Sequence, residues 1–344
     1  MLGISVYFQD LDDAYIEGAA ACGARYVFTS LQIPEEDYRS LPEKLPHLIE
    51  LCQKHGLQLV PDISPVTFEK LGIHDHDFQA LKEMGFRYLR LDYGLDDLDT
   101  IKNLMKDFHL MLNASVVDRA YLQKAKEAGI LLTDIIVTHN FYPQVHTGLQ
   151  EEYFIERNKV FLEYGMVIQA FVCGDDLPRF PLYEGLPTLE KHRKKHPYVA
   201  SVELLHNFGI RDIMIGDSKA KLETLSYIQS YMKDHVMTIK AYFEHGYERF
   251  YETECAIRKD MAQDIIRLAM PRISDVAIDH NKARYAGAIT MNNQLFQRYS
   301  GEVQLVKTEL PMDARVNVIG FIHPEFIELL EYIDSHTTIR FIRM

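Results

Sequence analysis

A chain of 344 residues, 47% hydrophobic and 25% charged, is long enough for one large domain and a small one, and can bury a full core without metals or disulfides. A formal net charge of −13 argues against nucleic acid and anionic membranes as partners, though a local cluster of Arg and Lys can still hold a small anion. The four cysteines, Cys22, Cys52, Cys173 and Cys255, are widely spaced with no CxxC pair, which predicts free thiols in a reducing compartment.

From the first residues the chain alternates β-branched runs with amphipathic stretches. Strands are predicted at 3–8, 25–31, 57–63, 87–92, 109–115, 134–138, 166–172 and 211–216. Helices are predicted at 11–22, 42–55, 77–84, 96–106, 118–128, 151–164, 187–206 and 219–235. Many helices end on a glycine, as at Gly56 and Gly129, where the left-handed conformation closes the last turn. This rhythm predicts an α/β fold, a (β/α)8 TIM barrel over residues 1–235. An open doubly wound sheet fits less well, because no Gly-rich phosphate loop follows the first strand.

After residue 235 the pattern changes to short strands: 236–243, 275–279, 287–291, 301–310 and 315–322, then a helix over 325–333 and a last strand at 337–344. A second, mostly β domain, a small barrel over 236–344 packed on the first, is expected. The N-terminus runs directly into a strand, and no apolar run is long enough to span a bilayer, so a cytoplasmic protein is expected.

In a TIM barrel the chemistry sits at the C-terminal ends of the strands. Those ends carry Tyr7, Thr29, Ser30, Gln32, Asp62, Asp92, Tyr93, Asn113, His139, Asn140, Tyr142, Gln169 and Asp217. A single such residue is a helix cap, the plainer reading for Ser64, Ser115 and Ser218, but a polar end on nearly every strand points to a site. Asp62 in VPDIS and Asp92 in RLDYG, on consecutive strands, make the sharpest pair. Two neighbouring carboxyls serve glycoside chemistry when one stays protonated while the other is ionised. A divalent metal on Asp62, Asp92, His139 and Asp217 is the weaker alternative, because no HxH or HExxH accompanies them. No metal and no cofactor is expected. The long stretch 173–193 after the seventh strand offers Glu184 as a reserve acid and Arg179 as an anion-binding group.

FTSLQIPEED, LRLDYG, LNAS, THNFYP, TGL, YEGLPTLEKHR, RYSGE and DARVNVIG resemble the 6-phospho-N-acetylmuramidase family, glycoside hydrolase family 170, over essentially the whole chain. The resemblance implies a barrel followed by a cyclophilin-like β domain. It also implies cytoplasmic hydrolysis of the β-1,4 bond of MurNAc-6-phosphate–GlcNAc, a disaccharide recovered from peptidoglycan. The expected partner is therefore a small phosphorylated amino-sugar disaccharide; a homo-oligomer is left open. On this reading Asp62, Asp92 and Glu184 are the catalytic candidates. Tyr7, Asn113, His139, Asn140, Tyr142, Gln169 and Asp217 contact sugar, and Arg179 and Arg315 meet the phosphate and lactyl carboxylate. The stretch GAITMNN (287–293) departs from the family, which would place an acidic residue at Ala288 and Asp-Asn at Asn292-Asn293. Two other classes compete: a metal-dependent isomerase or aldolase acting on a sugar phosphate, and a non-catalytic sugar-phosphate-binding protein. A Schiff-base aldolase is disfavoured because no strand end offers a lysine.

Overall fold

The computed structural model describes residues 1–36, 38–251 and 253–344. Contacts divide the chain into two compact units, Met1–Gln229 and Ser230–Met344.

In the first unit eight parallel strands close into a ring in sequence order. They are β1 (Leu2–Ser5), β2 (Tyr26–Ser30), β3 (Gln58–Ile63), β4 (Tyr88–Leu91), β5 (His109–Asn113), β6 (Ile136–Thr138), β7 (Val167–Val172) and β8 (Asp212–Ile215). The ring is completed where Leu2 and Gly3 of β1 pair with Ile213 and Met214 of β8. Gly3 gives close approach at this seam: a Cβ there would lie 2.8 Å from Tyr26 Cβ, as well as against the more flexible Met214 sulfur. The helices between strands include α1 (Asp13–Ala21), α2 (Leu41–Lys54), α3 (Pro65–Leu71), α4 (Phe78–Glu83), α5 (Leu98–Leu104), α6 (Arg119–Glu127), α7 (Glu151–Glu163), α8 (Pro197–Asn207) and α9 (Leu222–Asp234). Aspartates start several of them: Asp12, Asp77, Asp97 and Asp118 each accept a backbone N–H of the first turn. Gly56 and Gly129 take φ of +66° and +82° just past α2 and α6. Nothing lies within 4 Å of a Cβ built at either, so the demand there is conformational, not steric.

Two details differ from the sequence-based expectation. The segment after β3 holds two helices, α3 and α4, where one was expected. The helix expected over 187–206 begins only at Pro197, because a proline disfavours helical backbone in the residue before it. Residues 187–189 run alongside the barrel instead, with Thr188 N–H bonded to Phe171 O and Leu189 bridged to Leu149.

The second unit is mostly β. Its strands are β9 (Val236–Phe243), β10 (Glu254–Ala256), β11 (Ile265–Arg267), β12 (Ala288–Asn292), β13 (Val303–Val306), β14 (Val316–Ile322) and β15 (Thr338–Arg343). They form one sheet in the order β10-β15-β9-β14-β12-β13-β11, a half-barrel with β10 and β11 at its edges. The strand expected at 275–279 is absent. Side chains satisfy that segment in place of a ladder: Ser300 Oγ accepts from Val276 N–H, while Asn317 accepts from Asp279 N–H and donates to Ala277 O. Residues 325–333 were expected to form a helix; Pro324–Tyr332 is a 3-10 helix. Three-residue strands such as β10 and β11 carry too little periodicity to be read from sequence.

The GAITMNN departure fits this packing. Ala288 is fully buried with Val306 and Val318 against Ile265, Leu310 and Phe321, and Asn293 donates to Ala314 O and Asn317 Oδ1. Ala288→Asp therefore puts a carboxyl into an apolar cluster. Holding it protonated at pH 7 costs about 4 kcal/mol, and the unfolding midpoint of this unit should fall accordingly in denaturant titration. An unchanged midpoint would mean that the site has room and polarity for the acid.

Candidate active site

Side chains alternate across a strand, so the residues inside the barrel can be identified from its core. Tyr26, Phe28, Val60, Met111, Phe171 and Met214 pack together on the axis, with Tyr88 and Ile136 against them. Continuing that parity to the strand ends points Ser30, Asp62, Arg90, Asp92, Asn113, Thr138 and Asn140 inward. Register places Ser30 beside Asp62 and Asp62 beside Arg90.

The two aspartates are joined through neighbours. Gln32 Nε2 donates to Asp62 Oδ2 at 2.7 Å and to Asp92 Oδ2 at 2.9 Å. Arg90 Nη1 donates to Asp62 Oδ1 and lies 3.7 Å from Asp92 Oδ1. Arg90 Nη2 donates to Asn140 Oδ1, and Asn113 Nδ2 donates to Asp92 Oδ1 at 2.6 Å. Asp62 and Arg90 are buried, while the Asp92 side chain keeps 23% exposure. Burial raises the Asp62 carboxyl above its ordinary value; the Arg90 charge opposes this, the Asp92 charge reinforces it, and the bonds from Arg90 and Gln32 oppose it. This environment favours retention of a proton on Asp62.

A cavity of about 410 Å³ opens over the pair. Phe28, Phe141 and Phe171, packed edge to face, supply apolar wall, and Tyr93 and Tyr142 join Gln32, Asp62, Arg90, Asp92 and Asn140 in the lining. Aromatic faces beside fixed polar groups are suited to a sugar ring, which presents C–H faces and hydroxyl edges. Among the described residues the lining contains one cation, Arg90.

Several expected contacts lie elsewhere. His139 has the wrong parity and points out of the barrel. Its ring packs on Phe154 and pairs with Asn158 at 2.7 Å, and burial pushes its pKa down to about 4. Gln169 points inward but is buried, bonded to Thr138 Oγ1, and outside this cavity's lining. Tyr7 donates its hydroxyl to Gly216 O and is buried under the Arg179 guanidinium, 4.7 Å from its ring. Arg179 is itself buried, stacked on Tyr7 and Phe180, with Glu35 at 3.6 Å. Asp217 is engaged by three backbone N–H groups, of Gly174, Arg179 and Leu186, and so anchors the segment after β7. Glu184 is exposed in that segment and does not line the cavity. Arg315, in the second unit, pairs with Asp313 and stacks on Phe296. Ser64, Ser115 and Ser218 serve local turns and helix starts or bond to neighbouring polar groups.

Arg90 was not singled out from the sequence, nor was the phenylalanine wall. Arg90 was detectable: in YLRLD a charge two residues before Asp92 lies on the same strand face. Phe28 and Phe171 read as ordinary core. The cysteines are free, and burial pushes the Cys173 thiol up to about 12, which leaves no thiolate to act as nucleophile. Among the described residues no three His, Cys, Asp or Glu side chains are grouped to hold a metal ion, and no helix is long and apolar enough to cross a membrane.

Comparison with known proteins covers both units. A family profile described as 6-phospho-N-acetylmuramidase, N-terminal, matches residues 2–230, and its C-terminal counterpart matches residues 236–342. A crystal structure of a conserved Enterococcus faecalis protein of unknown function is similar at TM-score 0.86 and 27% identity, over 100% of this chain and 96% of that one. An uncharacterized B. cereus protein is similar at TM-score 0.78 and 26% identity, over 99% of each chain. No curated protein sequence matches this chain.

Proposed function

The chain belongs to the 6-phospho-N-acetylmuramidase family of glycosidases, whose substrate is a phosphorylated sugar, and from that premise we propose that it hydrolyses the β-1,4 bond of MurNAc-6-phosphate–GlcNAc. The products are MurNAc-6-phosphate and GlcNAc, released from recovered cell-wall material. The observation that carries this reading is the Asp62–Gln32–Asp92 arrangement in a cavity with aromatic walls.

Glycoside cleavage needs a proton for the leaving oxygen and negative charge near the anomeric carbon. Asp62, whose burial favours the protonated form, is read as the acid. Asp92, half-buried and accepting from Asn113 and Gln32, is read as the carboxylate. One nitrogen bridges an oxygen of each acid. Such a bridge keeps the nearer oxygens of the two acids close together, which suits attack by a covalent or internal nucleophile. The 2-acetamido group of MurNAc can supply that internal nucleophile, oriented by Asp92. Asn140 and Tyr142 are read as sugar contacts, and Glu184, outside the lining, takes no part. The proposed 6-phosphate and lactyl carboxylate need cationic donors apart from the acid pair. Arg179 is the candidate, since its buried Nε has no hydrogen-bond partner among the described residues, while its Nη2 lies 3.6 Å from the Glu35 carboxylate. Four free thiols suit a reducing cytoplasm as the place of reaction.

Product analysis on the phosphorylated and unphosphorylated disaccharides is the direct test. The phosphorylated compound should yield the two sugars with kcat/KM at least about 100-fold above the other, as expected when a charged group has a dedicated site. Equal rates would remove the phosphate from the proposal, and no cleavage of either would remove the reaction.

A further inference from the structure

Resting on the glycosidase reading above, we propose that Gln32 is a positioning residue for the acid pair: its one side-chain nitrogen ties Asp62 to Asp92 and sets the distance between them. A primary amide nitrogen carries two hydrogens, and here each goes to a different carboxylate, at 2.7 and 2.9 Å. The orientation follows from charge, because turning the amide over would press its carbonyl oxygen against the Asp92 carboxylate. The chosen orientation leaves Gln32 Oε1 buried and without a hydrogen-bond partner. A buried carbonyl left unpaired is unfavourable, so the two bonds on the nitrogen, charge-assisted at Asp92, outweigh it.

The residue is also held from behind. Lys70 Nζ on α3 donates to the backbone carbonyls of Gln32 at 2.6 Å and Ile33 at 3.2 Å, which fixes the turn after β2 against α3. Of the other groups facing the pair, Arg90 from β4 is charged, and Asn113 from β5 and Asn140 after β6 are neutral. Arg90 favours Asp62, its Nη1 being 3.7 Å from Asp92, so Gln32 is the donor that treats the acids equally. Without it Asp62 loses a donor to its charged form and becomes easier to protonate, and nothing holds the two acids at their present distance.

Gln32→Met removes the donor at similar length. With 13C-labelled aspartate, and the signal assigned through Asp62→Asn, the Asp62 carboxyl titration midpoint should move to higher pH by about one unit. On the disaccharide, kcat should fall by about tenfold or more with KM within about twofold, and the basic limb of the kcat profile should follow the Asp62 midpoint. Gln32→Glu, the same size, adds a third carboxyl and should raise the Asp62 midpoint further; it serves as the second variant if Gln32→Met does not fold. An unchanged Asp62 midpoint in a folded variant overturns the proposal whether or not the enzyme turns over. A shifted Asp62 midpoint in a protein whose wild type cleaves no muramyl substrate would uphold the tie and overturn the glycosidase reading.

Discussion

Replacing Asp62 with asparagine should lower kcat on the disaccharide by about 10²–10⁴-fold, the range that a general acid contributes, while the protein stays folded. Asparagine keeps the shape and its one carbonyl can still accept from Arg90, while its amide nitrogen faces Gln32, whose own amide can turn over to accept; it has no acidic proton to give the leaving sugar. The pH dependence follows from the raised Asp62 carboxyl. An acid is active while protonated, so activity should be lost as pH rises through that raised value. Stability has the same sign. With the folded value above the unfolded one, stability from this group is full below the unfolded value and declines as pH rises through the folded one. Asp62→Asn removes that decline, so its thermal midpoint should vary less across this window than the wild type's. A folded Asp62→Asn enzyme with near-normal turnover would transfer the acid role to another group.

Arg90→Met should be the most destabilising single change at the site. Arg90 is 4% exposed and is the cation that faces both acids. Methionine fills much of its volume but leaves two carboxyls close together with no counter-charge. Breaking a buried pair in this way costs about 3–5 kcal/mol, equivalent to a drop of about 10 °C in the midpoint of a unit this size. Removing the charge also lifts Asp62 further, because Arg90 is the largest influence opposing its burial. Lowering the pH should therefore recover part of the lost stability, since protonation neutralises the unpaired acids. Differential scanning calorimetry at neutral and mildly acid pH measures both effects. A midpoint unchanged at neutral pH would show that the carboxyls are compensated by groups other than Arg90.

The barrel was legible because a fold of repeated βα units writes its period into the chain. Each strand has to be apolar enough to be buried on both faces, and each helix has to show one apolar side. The second unit was legible only as mostly β. Its three-residue strands are shorter than any sequence period, and Asn317 and Ser300 satisfy residues 275–279 where alternation suggested a strand. At the site, the paired aspartates could be read because polar residues ending apolar strands on successive units are costly unless used. The family resemblance supplied a substrate, which neither spacing nor charge specifies.

By itself the sequence determined the closed ring of βα units, the mostly β character of the second unit and the presence of Asp62 and Asp92 at adjacent strand ends. These follow from local chemistry: side-chain period, helix caps and the order of strands along the chain. Only the tertiary structure decided which strand-end residues share the cavity. Parity turned His139 outward, three backbone N–H groups claimed Asp217, and Arg179 was buried on Tyr7 and Phe180. Arg90, Gln32 and Asn113 were brought to the carboxyls instead. A position in the chain says where a backbone atom lies, but a side chain's partners depend on direction and on groups far away in sequence. For Asp62 and Asp92 those partners determine which acid can hold a proton.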